Sequence, residues 1–436
     1  MKPTQTCTQT PNRNRTAATR GRGRPPGRPA ALIALLLVTA LASQAETPKT
    51  FNTTQPAEVI ADLEMSAPQS DWATEGREAP IASITVDKQP PQHIMLYAGP
   101  TKFHYKIFLG KLLGGAHTLT ITGANFETHT TTFREIPASD QYHAVLANAP
   151  VVFARKNTIG KFTDIPLTLY AERLTEDGHP LLQYTMIFSN EDGGTSTRAL
   201  MARWGRTTDI EYLYKAFLNS DGTLAKATIQ ARDHKEIEFT GKRDGAHPLL
   251  IPVTDNNMVA GDETSSIRYQ ITPVLVDLTN RSRESVMDDN PITYQVMAKE
   301  LVREKKLRLF GTVDGEKISD PRNYLFVDYN ATNTAGALAV RIKLKNENRA
   351  FSSHLGRTDY AIARSGWVRT TVELPPGTKP AQIAEIGFEC LVPVKEHSGT
   401  CRLEAVEKAF FLDGPSVFNL RAPTEIPTGQ TVTFSP

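Results

Sequence analysis

The sequence predicts a mostly β protein built of tandem β-sandwich modules, with one helix between the central and C-terminal modules. Three observations carry this. Short runs of alternating apolar and polar residues recur along the chain after residue 80. Hairpin-type turns rich in Gly, Asn and Asp separate them. Only the stretch Asn290 to Lys306 carries a sustained helical period.

A chain of 436 residues suffices for two or three domains, each with its own core. Its charged and apolar fractions are those of an ordinary globular protein, which excludes a disordered or fibrous one. The first 45 residues read as a signal peptide. Arg13, Arg15, Arg20, Arg22, Arg24 and Arg28 precede the apolar run Ala30 to Ala42, and Ser43-Gln44-Ala45 offers small residues for cleavage. That run is too short for a helix spanning a bilayer core of about 30 Å. The protein is therefore expected to be exported, to the periplasm, cell surface or medium, with no membrane span after cleavage. Without this segment 42 basic side chains face 47 acidic ones, a formal charge of −5. A mildly acidic chain with interspersed signs has no nucleic-acid footprint.

Residues 46–80, rich in Thr, Pro, Ala and Ser, read as a linker, with Pro56 to Met65 as an alternative short helix. Residues 81–140 read as a small N-terminal β-sandwich: Ile81 to Asp87 alternates, Phe103 to Leu109 follows, Gly114-Gly115 turns, and His117 to Thr122 alternates again. Its aromatics Tyr97, Phe103, Tyr105 and Phe108 fit core packing better than a sugar platform.

Residues 141–310 read as a central β domain. Leu167 to Leu174 and Leu181 to Ser189 flank Glu176-Asp177-Gly178, while Asp209 to Leu218 and Thr223 to Ala231 flank Asn219-Ser220-Asp221-Gly222. Pro248 to Thr254 adds a short apolar strand. The trailing helix has Asn290 as its expected cap and Pro291 at its first position, with Ile292, Val296, Met297 and Leu301 on one face.

Residues 311–436 again read as short strands: Tyr324 to Asp328, Ala337 to Leu344, Trp367 to Leu374, Ile383 to Glu389 and Arg402 to Leu412. The run Gly366-Trp367-Val368-Arg369-Thr370-Thr371-Val372-Glu373-Leu374-Pro375, followed by Ile383-Ala384-Glu385-Ile386-Gly387-Phe388, resembles jelly-roll carbohydrate-binding modules. The likeness covers roughly the last quarter of the chain. It implies a jelly-roll-like C-terminal module and a carbohydrate ligand, and it designates no individual binding residue. Cys390 and Cys401 are the pair left after signal cleavage, and in an exported protein they are expected to form a disulfide clamping a hairpin.

The densest gathering of chemical side chains runs from Ala202 to Asn257. On a strand, Asp209, Glu211, Leu213 and Lys215 share one face. Residues two apart on a strand lie about 6.5–7 Å apart, within the range that glycoside hydrolysis asks of two carboxylates. The competing reading is a plain amphipathic strand. Asp209, Glu211 and His234 are the candidate catalytic residues, with His234 as a general acid or base near neutral pH. Arg203, Trp204, Arg206, His247, Asp255 and Asn256 are the candidate substrate-binding residues: guanidinium forks onto carboxylates of an acidic sugar, indole stacks on a pyranose. For Arg203 and Arg206 the competing role is structural ion pairing, and for Trp204 and His247 ordinary packing.

No metal ligands and no cofactor are expected. The oxygen-rich loops Asn190-Glu191-Asp192 and Asp255-Asn256-Asn257 are weak candidates for Ca²⁺, since neither has calcium-loop spacing and ordinary Asx-turns suit them better. Gly-x-Ser-x-Gly, P-loop and dinucleotide fingerprints are lacking, which argues against an α/β-hydrolase or a nucleotide enzyme. The sequence thus points to an exported carbohydrate-active protein, a glycoside hydrolase or polysaccharide lyase acting on an extracellular polysaccharide or oligosaccharide. The alternative is a non-catalytic surface or envelope protein that binds a glycan or a protein partner.

Overall fold

The computed structural model describes residues 48–191, 193–392, 399–412, 414–421 and 423–436. The expected signal peptide lies outside them. The described chain is mostly strand and forms three two-sheet sandwiches in series.

In the first sandwich, a sheet ordered Lys49–Thr53, Gly115–Thr122, Ile81–Val86, Gln92–Met95 covers a sheet ordered Phe103–Leu112, Ala57–Ser66, Glu127–Ile136. Two of these strands lie in the segment expected to be a linker, and Ala57–Ser66 replaces the helix expected as its alternative. The reason is burial on both faces. Val59, Ala61, Leu63 and Met65 enter the first core while Ile60 on the opposite face enters the next. The period of two is present in the sequence, Ile60 excepted, but Ala, Glu, Leu and Met are also good helix formers, and the two-sided burial decides for the strand.

The central sandwich has a six-stranded sheet ordered Lys235–Glu238, Leu224–Ala231, Asp209–Leu218, His179–Phe188, Pro166–Glu176, Val274–Val276. Opposite it, His247–Pro252 runs parallel to Val151–Phe153, and a single core joins the two sheets. The helix Ile292–Arg303 follows, with Val296, Met297 and Leu301 buried as expected. Asn290 does not cap it: its side-chain amide donates backward to the Val286 carbonyl at 2.8 Å. A further helix, Thr197–Trp204, was not anticipated. Ser196 caps its start by accepting from the Ala199 N–H, and Gly205 ends it in the left-handed region at φ 64°.

In the third sandwich, a sheet ordered Gly366–Glu373, Tyr324–Thr334, Thr400–Phe410, Ser416–Leu420 faces one ordered Ala350–Ser352, Ala337–Leu344, Ile383–Leu391, Thr431–Phe434. Cys390 and Cys401 are bonded, as expected. Their strands belong to opposite sheets, so the bond staples the sandwich rather than clamping a hairpin; residues 393–398 of the spacer lie outside the described residues. Helix Ile292–Arg303 joins the central and third sandwiches, because Met297 and Leu301 share a core with Ile187, Ile210, Phe326 and Phe410. Among the described residues no helix is long and apolar enough to cross a membrane.

Candidate functional site

The end of one strand and the start of the next create the site. Strand His179–Phe188 pairs with Asp209–Leu218 so that Phe188 lies opposite Asp209 and Met186 opposite Glu211. Past Phe188 the chain continues alongside, where the Glu191 N–H donates to the Thr207 carbonyl at 3.0 Å. Glu191 and Asp209 thereby bring their carboxyls within hydrogen-bonding reach. Two carboxylates accept only, so that contact forms when one of them keeps its proton.

Burial and mutual charge supply the proton. Burial, then the Asp209 charge, pushes Glu191 up to about 8. The same two causes in the same order push Glu211 up to about 7. Asp209 is fully enclosed, and its own upward shift by burial is opposed by Arg206 and by the hydrogen bond from Asn257. Asn257 is the hub behind it: its amide donates to Asp209 Oδ2 at 2.9 Å and reaches Asp164 Oδ1 at 3.1 Å. Arg155 in turn pairs with both Asp164 and Asp255. Asn257 has φ 56°, a conformation Asn tolerates better than most residues.

On the outer side, Gln230 lies beside Glu211, and the Gln230 amide lies 2.8 Å from His234 Nδ1. The Asn256 amide lies 3.1 Å from His234 Nε2. The imidazole is thus gripped at both nitrogens by amides, each of which can present oxygen or N–H. Asp233 and His234 both adopt positive φ, at 61° and 55°, a strained turn that carries the exposed ring to this position. Gly193 makes the approach of the two loops possible. A Cβ there would lie 2.6 Å from Asn256 Cβ and 2.7 Å from Glu191 Oε1.

Asp209, Glu211, His234 and Asn256, expected from sequence to act together, therefore meet through Gln230 and the Glu191–Asp209 contact. The other expected residues are placed differently. Asp255 is exposed and serves as a partner of Arg155. Arg203 donates to the Asp359 carbonyl, at 3.2 Å from Nε and 2.5 Å from Nη2, and so ties the central sandwich to the third. Trp204 lies between the guanidiniums of Arg203 and Arg206 at 6.0 and 5.6 Å, as a packing partner rather than a sugar platform. Arg206 is buried, donates to the Thr208 carbonyl, and lies 3.9 Å from Glu284. His247 is enclosed between sandwiches, stacked on Phe108 at 4.6 Å with Glu58 3.4 Å away, and offers no surface to a substrate. Of the competing roles, Arg206 has an ion pair with Glu284 and His247 packs on Phe108, while Arg203 holds a backbone carbonyl in place of an ion pair.

Sequence reasoning missed several contributors. Glu191 and Asn257 entered it only as cation-loop oxygens, and Gln230 and Asp164 carried no motif. Arg283, Glu284 and Arg364 come from remote segments, with no sequence signal linking them to the site. In the two oxygen-rich loops Thr254 Oγ1 donates to Asn256 Oδ1 at 2.8 Å and Thr163 Oγ1 to Asn190 Oδ1 at 2.8 Å, and Asp192 lies outside the described residues. Among the described residues no three His, Cys, Asp or Glu gather as a metal site. Nor does a cleft of about 770 Å³ between the first and central sandwiches touch these carboxylates; Tyr97, Phe103, Tyr142, Leu167 and Leu275 are among its walls. Tyr97, Tyr105 and Phe108 are buried, as core packing required.

No family model matches the chain, and no curated protein does. Three chains of solved structures match locally, among them two sugar complexes. NLPPya in complex with mannosamine shares 10% identity over 32% of this chain and 74% of its own, at a TM-score of 0.24. NLPPya in complex with glucosamine shares 11% identity over 30% of this chain and 70% of its own, at a TM-score of 0.23. At that level the likeness carries no argument about this chain.

Proposed function

We propose that this is an exported carbohydrate-active protein whose acid–base chemistry, hydrolysis or β-elimination, runs at the Glu191–Asp209–Glu211 cluster. The observation behind this reading is the carboxyl–carboxyl contact between Glu191 and Asp209, with Glu211 two residues along the strand. Carboxyls whose environments separate their proton affinities are what an acid–base pair requires. Glu211, half-buried and pushed to about 7, keeps its proton at neutral pH long enough to pass it to a leaving glycosidic oxygen. His234, exposed and linked to Glu211 through Gln230, is the second proton carrier. Asp209 is enclosed and acts through its neighbours as a positioning residue. Export and the likeness of the last quarter to sugar-binding modules favour a glycan as substrate.

The complete burial of Asp209 favours a second reading, in which the cluster is scaffold and the protein binds glycan without turnover. Glu211→Gln and His234→Ala separate the two. A panel of neutral and acidic polysaccharides, read by reducing ends and by unsaturated product, should show the Glu211→Gln rate falling by roughly 10² or more. Glycan affinity and thermal midpoint should barely move. Wild-type protein that binds a glycan and cleaves none of the panel establishes the binding reading. Unchanged turnover in Glu211→Gln removes Glu211 from the chemistry.

A further inference from the structure

We propose that Arg283 and Arg364 form an anion subsite beside the carboxylate cluster, and that the glycan it takes carries carboxylate groups, as uronate-containing polysaccharides do. The proposal rests on the reading of the cluster as a carbohydrate site. Its basis is an imbalance of charge. One buried carboxylate, Glu284, faces three guanidiniums: Arg283 Nε at 3.3 Å, Arg364 Nη2 at 3.5 Å and Arg206 Nε at 3.9 Å, all on Oε1.

Arg206 is enclosed and belongs to the interior. The other two are not: their side chains are 33% and 39% exposed while Glu284 is fully buried. Among the described residues neither makes another side-chain hydrogen bond or ion pair, which leaves further N–H donors on each of these partly exposed side chains. Two guanidiniums converging on one oxygen would repel each other without further anionic charge nearby. Arg283 also lies within electrostatic reach of Glu211 and Asp209. Glu284 and Asp209 answer part of the positive charge of the three guanidiniums, and an incoming anion at the exposed edges of Arg283 and Arg364 answers the rest.

The donor geometry selects the anion. A guanidinium edge offers parallel N–H groups that match the two oxygens of a carboxylate. A sugar ring placed against Glu211 would then direct its own or its neighbour's carboxylate to Arg283, with Arg364 closing from the third sandwich. Arg283 is thus a specificity-determining residue supplied by the segment between sandwiches, and Arg364 one supplied by the third.

Calorimetric titration of the mature full chain tests this with four probes: oligogalacturonates, the same oligomers methyl-esterified, neutral xylo-oligosaccharides and sulfated galactan oligomers. We expect oligogalacturonates to bind, their methyl esters to bind at least tenfold more weakly, and the affinity to fall with added salt. Arg364→Gln should weaken oligogalacturonate binding roughly tenfold and lower the melting midpoint, because buried Glu284 loses a partner, whereas Arg364→Lys keeps that charge and the midpoint and should still lose affinity. Arg283→Lys keeps the charge that Glu284 needs, and should lose affinity because the fork is gone. Equal binding of acid and ester, tighter binding of the sulfated oligomer, or an unaffected Arg364→Gln overturns the proposal. Cleavage of neutral glycans through Glu211, with uronates ignored, leaves the acid–base reading standing and this one fallen. Uronate binding without cleavage of any substrate does the reverse.

Discussion

At the residue scale, Glu191 is the group whose behaviour depends most on its surroundings. Its ordinary affinity, 4.5, is raised to about 8 by burial and by Asp209. The folded chain therefore keeps this proton across a window where the unfolded chain has released it. Stability must fall as pH rises from about 4.5 to about 8 and level off above that. Glu191→Gln keeps the shape and removes the titration. Its melting midpoint should exceed that of wild type at pH 8–9 and converge with it below pH 5, as differential scanning calorimetry would show. A variant less stable than wild type at both ends would mean that Glu191 is ionised and paired in the folded state. The Asp209–Glu211 spacing was legible because a period of two places both on one face of a strand. Glu191 was not, because its partner was a matter of strand pairing.

At the element scale, helix Thr197–Trp204 decides where Arg206 goes. Ser196 starts it and Gly205 stops it at φ 64°, where a Cβ would lie 2.9 Å from Thr371 Cγ2 and 3.1 Å from Arg369. Gly205→Ala meets both the left-handed penalty and that contact, and should cost about 1–2 kcal/mol or more in denaturant unfolding. Because Thr370 and Thr371 donate to the Ala202 and Met201 carbonyls, the shift should reach the third sandwich as well. A stability loss under about 0.5 kcal/mol, the range of an ordinary surface change, would show that the helix end tolerates a side chain. Both signals were present in the sequence, a cap residue followed by Ala-Leu-Met-Ala and a closing glycine. Eight residues between strong strand patterns gave too few turns for the period to stand out. The strand Ala57–Ser66 does alternate, with Glu58, Asp62, Glu64 and Ser66 between apolar residues, but good helix formers at most positions mask that signal.

At the scale of the whole molecule, the sandwiches are pinned by buried polar contacts from the connecting helix. Trp72, fully buried in the first sandwich, donates its indole N–H to Glu300 at 3.0 Å, and Arg303 lies over the same ring at 5.2 Å. Arg303 also reaches Glu300 at 3.3 Å and the Phe162 carbonyl at 2.7 Å. Farther along, Arg369 of the third sandwich holds Asp328 and Asp288, each at 2.6 Å. Trp72→Phe keeps most of the apolar volume and strands the Glu300 carboxyl, which should cost about 1–3 kcal/mol. The loss should appear in unfolding of the first and central sandwiches together, followed by hydrogen exchange. Loosening confined to the segment around residue 72 would show that the contact does not couple them.

Local pattern by itself determined many of the strands and the turns between them, the helix face of Val296, Met297 and Leu301, and the Asp209–Glu211 pair, because each depends on residues a few positions apart. The pairing of Cys390 with Cys401 also followed from their count. Tertiary structure alone decided that the bond joins two sheets, that His247 turns inward against Phe108 and Glu58, and that Arg203 and Trp204 serve packing between sandwiches. It also assembled Glu191, Gln230, Asn257, Arg283 and Arg364 around the predicted carboxylates. Their proximity depends on long-range strand pairing and on the docking of one sandwich against another, and spacing along the chain carries no trace of either.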